Sequence, residues 1–359
     1  MPLNGALMGT LRRSSAGVKH RLEDTGQHVK RTLVRAGLAP APFRIKAAVT
    51  DRCNFRCPTC LKWKDVRAQE ELSPAQWQAA WRRLRKLPLM NEVTIGGGEP
   101  FARPGILDIL ASAREEGFYT VVISNGWKIT PETLRELARL GVNRLILSLN
   151  SLRESVHDGT RNAPGSARRV LALIEAWRSF RKPELAIEAV VMEANVGELP
   201  EMARFVRDMG MQGLILQALA PPETHYAFAG HDAMPVLARD WYENDAAWVR
   251  SLDLLRAGLA ELLALKRAGA PIFNPSWQLK CMAAYYENPQ SILSVPCVGP
   301  VSTMHVDPFG NIRLCYGLPP IGNVLRDSPR EIWRGAAART QRREKRSCDQ
   351  ICRILNGNL

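Results

Sequence analysis

Three cysteines stand within eight positions near the start of this sequence, at Cys53, Cys57 and Cys60. Their C-x3-C-x2-C spacing puts three thiolates on one short loop, which can hold three irons of a [4Fe-4S] cluster. The fourth iron is then left without a protein ligand, and an open coordination position lets a small molecule bind the metal. On this motif alone, a zinc site or free thiols remain the alternatives.

A glycine-rich segment with one carboxylate follows, at Gly96-Gly97-Gly98-Glu99-Pro100. Gly97 and Gly98 let backbone groups approach a ligand, and Glu99 can accept hydrogen bonds from an ammonium group. Taken alone, such a run predicts only a turn. Its interpretation therefore depends on the elements that position it.

Short apolar runs that alternate with amphipathic, helix-length segments predict those elements. The six predicted strands are Arg44–Thr50, Glu92–Ile95, Tyr119–Ser124, Arg144–Leu149, Leu185–Met192 and Gly213–Leu219. Ser73-Pro74 and Thr130-Pro131 have the residue types of helix starts, an N-cap followed by a first-turn proline. Alternating strands and helices predict an α/β fold with a parallel sheet. Six units predict a partial (β/α)6 TIM-like barrel, whose site lies at the C-terminal ends of the strands.

The pattern changes after Leu219. A helical stretch, roughly from Val236 to Lys266, predicts a helical bridge within residues 221–296. From Cys297 onward the sequence is rich in Gly, Pro and Cys and contains a hairpin-like turn at 307–311. This composition predicts a small C-terminal cysteine-rich domain over residues 297–359. Residues 41–220 are then the barrel, and residues 1–40 form an N-terminal extension.

Taken in order, these motifs resemble the radical S-adenosylmethionine (SAM) superfamily over about Arg44 to Ile351. The resemblance implies that the cysteine triad binds a [4Fe-4S] cluster and that the glycine-rich segment binds the amino group of SAM. It also implies SAM contacts at the strand ends and in the segment 157–161 after the fourth strand: Ser124, Asn125, Ser148, Asn150, Arg161, Val190, Val191 and Gln217. Among these, Arg161 is expected to pair with the methionyl carboxylate, and Val190 and Val191 are expected to line the adenine.

Two positions depart from the pattern of that superfamily. Thr59 stands where an aromatic or bulky residue usually supports the adenine, and Asn150 stands where an aspartate is common. These departures concern the adenine and ribose contacts. They leave the expected cluster ligands unaffected.

The C-terminal cysteines resemble the SPASM extension in its shortened, single-cluster form, called twitch. Its landmarks here are the glycine five residues before Cys315, an Ile-Gly-Asn turn at 321–323 and Glu-Ile-Trp at 331–333. The resemblance implies a second, auxiliary [4Fe-4S] cluster with four ligands: Cys297, Cys315, Cys348 and Cys352. A structural zinc bound by the same residues is the alternative.

The resemblance also implies a mechanism. A reduced cluster at the triad donates one electron to SAM, which releases methionine and a 5′-deoxyadenosyl radical that abstracts hydrogen from a substrate. A flavodoxin or ferredoxin is the implied electron donor, and an auxiliary cluster implies net oxidation. Cys281 is a candidate hydrogen donor for a redox-neutral alternative such as epimerisation, although such a lone cysteine is more often a small buried hydrophobe. The substrate stays open among peptides, sugars, tetrapyrroles and lipids.

The net charge of +14 is concentrated at the two ends of the chain. Residues 1–46 hold nine Lys and Arg against two acidic residues, residues 330–353 hold eight against three, and the remainder is close to neutral. A basic iron–sulfur protein acting on RNA would suit such termini. No aromatic-and-basic RNA-binding module is visible, so nucleic acid is not the expected partner.

An 11-residue apolar repeat with flanking basic residues runs through the N-terminal extension. Its stripe consists of Leu7, Leu11, Val18, Leu22, Val29 and Leu33. This period predicts an amphipathic helix over residues 4–36 lying on an anionic membrane surface, with packing on the barrel wall as the alternative. No apolar run is long enough to span a membrane and no signal peptide is visible, so we expect a cytoplasmic protein with peripheral membrane contact. In that reducing compartment, eight cysteines favour metal ligation over disulfides.

Overall fold

The computed structural model describes residues 32, 41–64, 70–88, 91–221, 240–315 and 317–354. Nine strands within these ranges form one sheet. They are β1 Arg44–Thr50, β2 Glu92–Gly97, β3 Tyr119–Ser124, β4 Arg144–Ser148, β5 Glu184–Val191, β6 Gly213–Ala218, β7 Thr303–Val306, β8 Asn311–Arg313 and β9 Gly322–Asn323. The first six agree with the predicted strands to within two residues at each end.

Helices separate the parallel strands and continue beyond them. They are α1 Pro74–Leu84, α2 Ile106–Glu115, α3 Pro131–Arg139, α4 Glu154–Arg161, α5 Ser166–Trp177, α6 Leu199–Asp208, α7 Leu252–Arg267, α8 Ser276–Glu287, α9 Gly299–Ser302, α10 Pro329–Arg334 and α11 Ala336–Glu344. Ser73 caps α1 in a capping box with Gln76, and Thr130 caps α3, so both predicted helix starts are confirmed.

The sheet is open, with strand order β6-β5-β4-β3-β2-β1-β7-β8-β9. Strands β1 to β6 pair in parallel with their sequence neighbours, as repeated βα units require. Strand β7 joins the other side of β1 in parallel, and β8 and β9 continue the sheet in antiparallel pairs. The ends of this order, β6 and β9, do not pair with each other, so the predicted partial barrel is confirmed.

The two faces of the barrel sheet carry different residues because side chains alternate along a strand. Ile45, Val93 and Leu145 belong to the main core, where the sheet packs against the helices. Val121 and Ile146 lie on the opposite face, in a separate cluster inside the barrel. Residues that point to the same face of the sheet as Val121 and Ile146 therefore line the barrel interior.

The predicted bridge helix is shorter than expected. Helix α7 begins at Leu252, whereas residues 240–251 form turns, and residues 222–239 lie outside the described ranges. Trp248 explains part of the difference, because its ring packs between Tyr285 and Tyr286 of α8 and draws this stretch onto the core.

The predicted N-terminal membrane helix lies outside the described residues, apart from residue 32. Among the described helices, none is both long and apolar enough to cross a bilayer.

Candidate functional site

The three clustered cysteines lie on the loop that leaves the C-terminal end of β1. Cys57 is buried with Phe55 and Ala163, and the half-buried Cys53 and Cys60 pack against this group. The ring of Trp127 meets Phe55 edge-to-face at 5.7 Å between ring centroids. Burial raises the pKa of the Cys53 thiol to about 12 and also raises that of Cys60. A metal that replaces the thiol protons would therefore hold these groups as thiolates.

A buried polar network holds the start of this loop. Lys62 Nζ lies 3.2 Å from Asp51 Oδ1, and both side chains are at most 5% exposed. The Thr50 hydroxyl and the Asp51 N–H donate to Glu71 at 2.7 and 2.9 Å, and Arg103 stands 3.5 Å from the same carboxylate. These bonds link the loop to β1 and to the chain before α1, so the protein itself fixes where the thiols stand.

The glycine-rich segment packs directly on the cysteine loop. The N–H of Gly98 donates to the Thr50 carbonyl, and the N–H of Glu99 donates to the Arg52 carbonyl, both at 2.8 Å. A Cβ at Gly97 or Gly98 would collide with backbone atoms of this loop, and Gly97 has φ of 131°. A Cβ at Gly96, in contrast, would meet open space. Close approach of the chain's own backbone is thus one reason for glycine at 97 and 98.

Glu99 is a buried carboxylate, 1% exposed, that accepts three hydrogen bonds. Its donors are the Ser124 hydroxyl at 2.8 Å, the Asn125 N–H at 2.7 Å and the Phe101 N–H at 3.1 Å. Burial raises the pKa of Glu99, and these donors together with Arg161 oppose that shift. Residues from the ends of β2 and β3 therefore meet at one carboxylate beside the thiols.

Asn125 connects this carboxylate with the cysteine loop. Its side-chain NH2 donates to the Asn54 side chain at 3.0 Å, and its side-chain oxygen accepts from the Trp127 N–H at 2.9 Å. Helix α4 brings Arg161 to the same place, with a guanidinium nitrogen 4.0 Å from Cys57 Sγ. The structure therefore brings together five of the predicted groups: the thiols, Gly98, Glu99, Asn125 and Arg161.

The predicted contacts at β4 have a structural task as well. Asn150 is 1% exposed, and its side chain accepts from the Val190 N–H at 3.1 Å and donates to Thr160 at 3.0 Å. Its N–H donates to His157 Nδ1, and burial lowers the pKa of His157 to about 3, so that ring is neutral. Asn150 thus ties β4, β5 and α4 together, while Ser148 is half-buried and faces the barrel interior.

The placement of β5 separates two of the predicted contacts. Val191 is fully buried in the main core, on the helix side of the sheet. Val190 alternates with it and points to the barrel interior, where it pairs in register with Gln217 of β6. The side chain that can line a ligand at this level is therefore that of Val190, whereas the Val191 side chain lies on the helix side because strand alternation puts neighbours on opposite faces.

The C-terminal thiols come from three stretches of chain. Cys297 precedes α9, Cys315 follows β8, and Cys348 and Cys352 lie beyond α11. Burial raises the pKa of Cys297 to about 11 and raises that of Cys352 strongly, and in both cases the neighbouring thiols add to the shift. Lys345 Nζ lies 3.7 Å from Cys348 Sγ, a cation beside this thiol. All four thiols are thus near enough to act on one another electrostatically.

Among the described residues, no three His, Cys, Asp or Glu side chains stand close enough together to hold a single ion. Cluster ligands stand farther apart than zinc ligands, because each cysteine binds a different iron of the cluster.

Two family profiles match this chain. The profile of the radical SAM superfamily matches residues 48–206, which span β1 to α6 and contain the thiol loop. The chain belongs to the radical SAM superfamily. The profile of the SPASM iron–sulfur cluster-binding domain matches residues 297–354, which contain the four C-terminal thiols.

Known proteins resemble this radical SAM chain over most of its length. The tungsten-containing aldehyde ferredoxin oxidoreductase cofactor-modifying protein of Pyrococcus furiosus is 26% identical over 300 residues, 79% of each chain. The PqqA peptide cyclase of Streptomyces rochei is 28% identical over 306 residues, 82% of this chain and 76% of the cyclase. The crystal structure of Streptococcus suis SuiB bound to its precursor peptide SuiA superposes with a TM-score of 0.62 at 15% identity, covering 89% of this chain and 70% of SuiB, which shows a shared fold.

Radical SAM proteins bind a [4Fe-4S] cluster and SAM in the barrel, and the SPASM domain binds auxiliary iron–sulfur clusters. The residues of this chain fit both groups. Buried thiols with raised pKa values suit iron ligation, and the Glu99 carboxylate and Arg161 guanidinium match the two charged ends of an amino acid.

The barrel interior of this radical SAM chain holds ionisable residues that the sequence motifs did not identify. Lys46 of β1, Glu188 of β5 and His305 of β7 are at inward positions of their strands. Burial lowers the pKa of Lys46 to about 8, an effect that Arg44 strengthens and Glu188 opposes. The available signal was a single ionisable side chain, Lys46, Glu188 or His305, flanked by apolar residues within each of these strands.

Cys281 lies away from this interior. It is a half-buried residue of α8 that packs against the main core, on the helix side of the sheet. Its predicted role as a hydrogen donor requires access to the barrel interior, and its position on α8 does not favour that role.

Proposed function

We propose that this radical SAM protein removes two electrons from its substrate, and that the second electron leaves through the C-terminal cluster. The observation that carries this proposal is the grouping of four C-terminal thiols, Cys297, Cys315, Cys348 and Cys352. Burial raises the pKa of Cys297 and of Cys352, and the neighbouring thiols of the group add to both shifts. Four thiolates complete the ligand set of one [4Fe-4S] cluster and leave no iron open. A closed cluster is suited to electron transfer and not to binding a substrate.

The barrel cluster takes Cys53, Cys57 and Cys60 as ligands in this proposal. Glu99 holds the ammonium of SAM and Arg161 holds its carboxylate, with Gly97, Gly98, Ser124, Asn125, Ser148 and Asn150 completing the site. When bound, the cluster and SAM together supply a 5′-deoxyadenosyl radical that takes a hydrogen atom from a substrate C–H bond. Phe55 and Trp127 keep water from the thiols.

The protein supplies a group for the proton that accompanies a two-electron oxidation. The carboxylate of Glu188 lies at an inward position of the barrel and interacts with the Lys46 ammonium. Between Lys46 and the glycine-rich segment, the inward positions hold only Ala48 and Gly96, which leaves room for a substrate. In the proposed oxidation, one hydrogen atom of the substrate goes to SAM-derived 5′-deoxyadenosine. One substrate proton goes to Glu188, and one electron goes to the C-terminal cluster.

A peptide is the substrate class that we propose. The PqqA peptide cyclase of Streptomyces rochei, whose name gives a peptide as its substrate, is similar over 82% of this chain. A peptide side chain can enter an open barrel from its C-terminal end, where SAM and the inward residues meet.

Electron paramagnetic resonance of the reduced, anaerobically reconstituted protein tests the two-cluster proposal. We expect two [4Fe-4S] signals, of which only one changes when SAM is added, since only the barrel cluster has an open iron. The same sample should release 5′-deoxyadenosine. A single signal together with stoichiometric zinc would contradict the proposal and leave redox-neutral chemistry, such as epimerisation, as the function.

A further inference from the structure

The surface arginines of α10 and α11 differ from several of those on the barrel helices. Arg135, Arg139 and Arg178 each pair with a carboxylate three residues away, that of Glu132, Glu136 and Glu175 respectively. The exposed arginines of α10, α11 and the turn after them have no carboxylate partner among the described residues. They are Arg330, Arg334, Arg339, Arg343 and Arg346, which we call the basic face.

The basic face is continuous. Arg330 and Arg334 are one helical turn apart, as are Arg339 and Arg343, and Arg339 donates to the Arg334 carbonyl, which joins the two helices. Arg342, between them, turns inward over the ring of Trp333 at 4.2 Å and donates to the Pro300 carbonyl. This packing leaves the remaining arginines of α11 on the outside, where unpaired like charges repel each other.

A cleft of about 600 Å³ adjoins the basic face. Its lining is mostly apolar, with Pro319, Pro320, Ile321, Ala336 and Ala337, together with Thr340, Gln341 and Glu344. Gln341 is 6% exposed, and its side-chain oxygen has no hydrogen-bond partner among the described residues. An apolar centre with an unused acceptor and a charged rim has the composition of a protein interface.

The four C-terminal thiols lie at the end of the same face. Lys345 follows α11 directly and stands 3.7 Å from Cys348 Sγ, and Cys348 is itself partly exposed. A partner seated on the basic face and the cleft would thus be next to the proposed auxiliary cluster.

We propose that the basic face and its cleft form the docking site of a small acidic redox protein that accepts the electron from the C-terminal cluster. The inference rests on the proposed function, because it needs a cluster at the four thiols. One electron passes from the reduced cluster to the oxidised partner, and no bond or proton is transferred. Charge complementarity would guide an acidic partner to the basic face. Because this face ends at the four thiols, a redox protein is favoured over other polyanions.

The test uses the holoenzyme and an acidic bacterial flavodoxin as the probe. The variant Arg339→Gln/Arg343→Gln/Arg346→Gln removes three charges from the basic face, and Arg135→Gln/Arg139→Gln/Arg178→Gln removes three paired charges from the barrel. We expect the first variant to raise the Kd for flavodoxin about tenfold at low salt and to flatten its salt dependence. The Kd of the matched control variant for flavodoxin should stay within about twofold of the wild-type value.

A second variant separates shape from charge. Thr340→Trp fills the cleft without altering charge, so affinity should fall while the salt dependence is kept. Stopped-flow transfer of electrons from the reduced holoenzyme to oxidised flavodoxin should slow in both face variants. Release of 5′-deoxyadenosine with dithionite should not change, since the barrel site is untouched.

Three outcomes would overturn the proposal. Equal weakening of flavodoxin binding in both triple variants would mean that binding depends only on the net charge of the protein. Unchanged affinity in the basic-face variant would place the partner elsewhere, and binding of phosphatidylglycerol vesicles or RNA with no binding of flavodoxin would identify a different partner. Normal binding without electron transfer, in protein whose C-terminal site lacks iron, would instead mark failure of the proposed function.

Discussion

In the barrel, three thiols come from one eight-residue loop, whereas the four C-terminal thiols come from three separate stretches of chain. The barrel loop is held by bonds of the protein itself, through Asp51, Lys62 and Glu71. The C-terminal stretches are joined by short elements, such as β8 with three residues, β9 with two and α9 with four. Short elements bury little surface of their own, so a metal cluster contributes more of the order there.

The barrel site and the C-terminal site also differ in charge. Charged groups of the barrel site are buried and matched, as Glu99 is with its three donors. Those around the C-terminal site are largely basic and exposed. The first arrangement suits a bound zwitterion. The second suits a transient partner, because the summed field of exposed like charges attracts an oppositely charged protein while each single contact contributes little.

The largest expected effect is loss of the barrel thiols. Changing Cys53, Cys57 and Cys60 together to Ala should abolish 5′-deoxyadenosine formation and lower the iron content by about half, because the C-terminal cluster remains. The melting temperature should change little, since the polar network of the loop does not involve the thiols. Iron analysis measures the iron content, and differential scanning fluorimetry measures the melting temperature. Loss of all iron would show that the two clusters do not assemble independently.

The matching change at the C-terminal site should affect structure more than SAM cleavage. In Cys348→Ala/Cys352→Ala, iron should again fall by about half, while 5′-deoxyadenosine still forms with dithionite. Residues 297–354 should lose protection in hydrogen exchange, and the barrel strands should keep theirs. Unaltered protection of the C-terminal segment would mean that its packing, and not the cluster, maintains it.

Replacing one member of the buried ion pair tests whether the barrel loop is held by the protein. Lys62→Met leaves the buried Asp51 carboxylate without its cation and should cost about 3–5 kcal/mol of unfolding free energy. The double variant Asp51→Asn/Lys62→Met should recover most of this loss, because no charge is left buried. Denaturant unfolding of both variants gives the comparison, and equal stabilities for them would argue against the pair.

Glu99 should matter for SAM and not for iron. Glu99→Gln should weaken SAM binding about ten- to hundredfold, the value of one charged hydrogen bond, with the iron content unchanged. Burial raises the pKa of Glu99. Wild-type affinity for SAM should therefore decline as the pH falls through that raised pKa, since the neutral acid no longer attracts the ammonium. Affinity of the Gln variant should lack this component, and identical pH profiles would contradict the assignment.

The smallest effect is expected at Cys281. Since this residue packs on the helix side of the sheet, Cys281→Ser should leave 5′-deoxyadenosine formation and iron content at wild-type levels. Loss of product formation with intact SAM cleavage would restore the hydrogen-donor hypothesis and the epimerase alternative.

The sequence by itself determined the strands, the family and both groups of cysteines. Short apolar runs separated by helix-length amphipathic segments placed all six barrel strands, because the strands of a parallel sheet are largely buried. The C-x3-C-x2-C spacing was sufficient to identify the first thiol group, because its three cysteines lie on one loop. The start of α7 was missed, since residues 240–251 are helix-like in composition but are drawn onto the aromatic core around Trp248.

Only the tertiary structure decided which side of the sheet each side chain occupies and which distant groups meet. It put the Val190 and Val191 side chains on opposite faces of the sheet, and it brought Lys46, Glu188 and His305 into one interior from three strands. It also revealed that Gly97 and Gly98 make room for the cysteine loop itself. These facts depend on strand register and on contacts between residues far apart in the chain, which local sequence patterns do not encode.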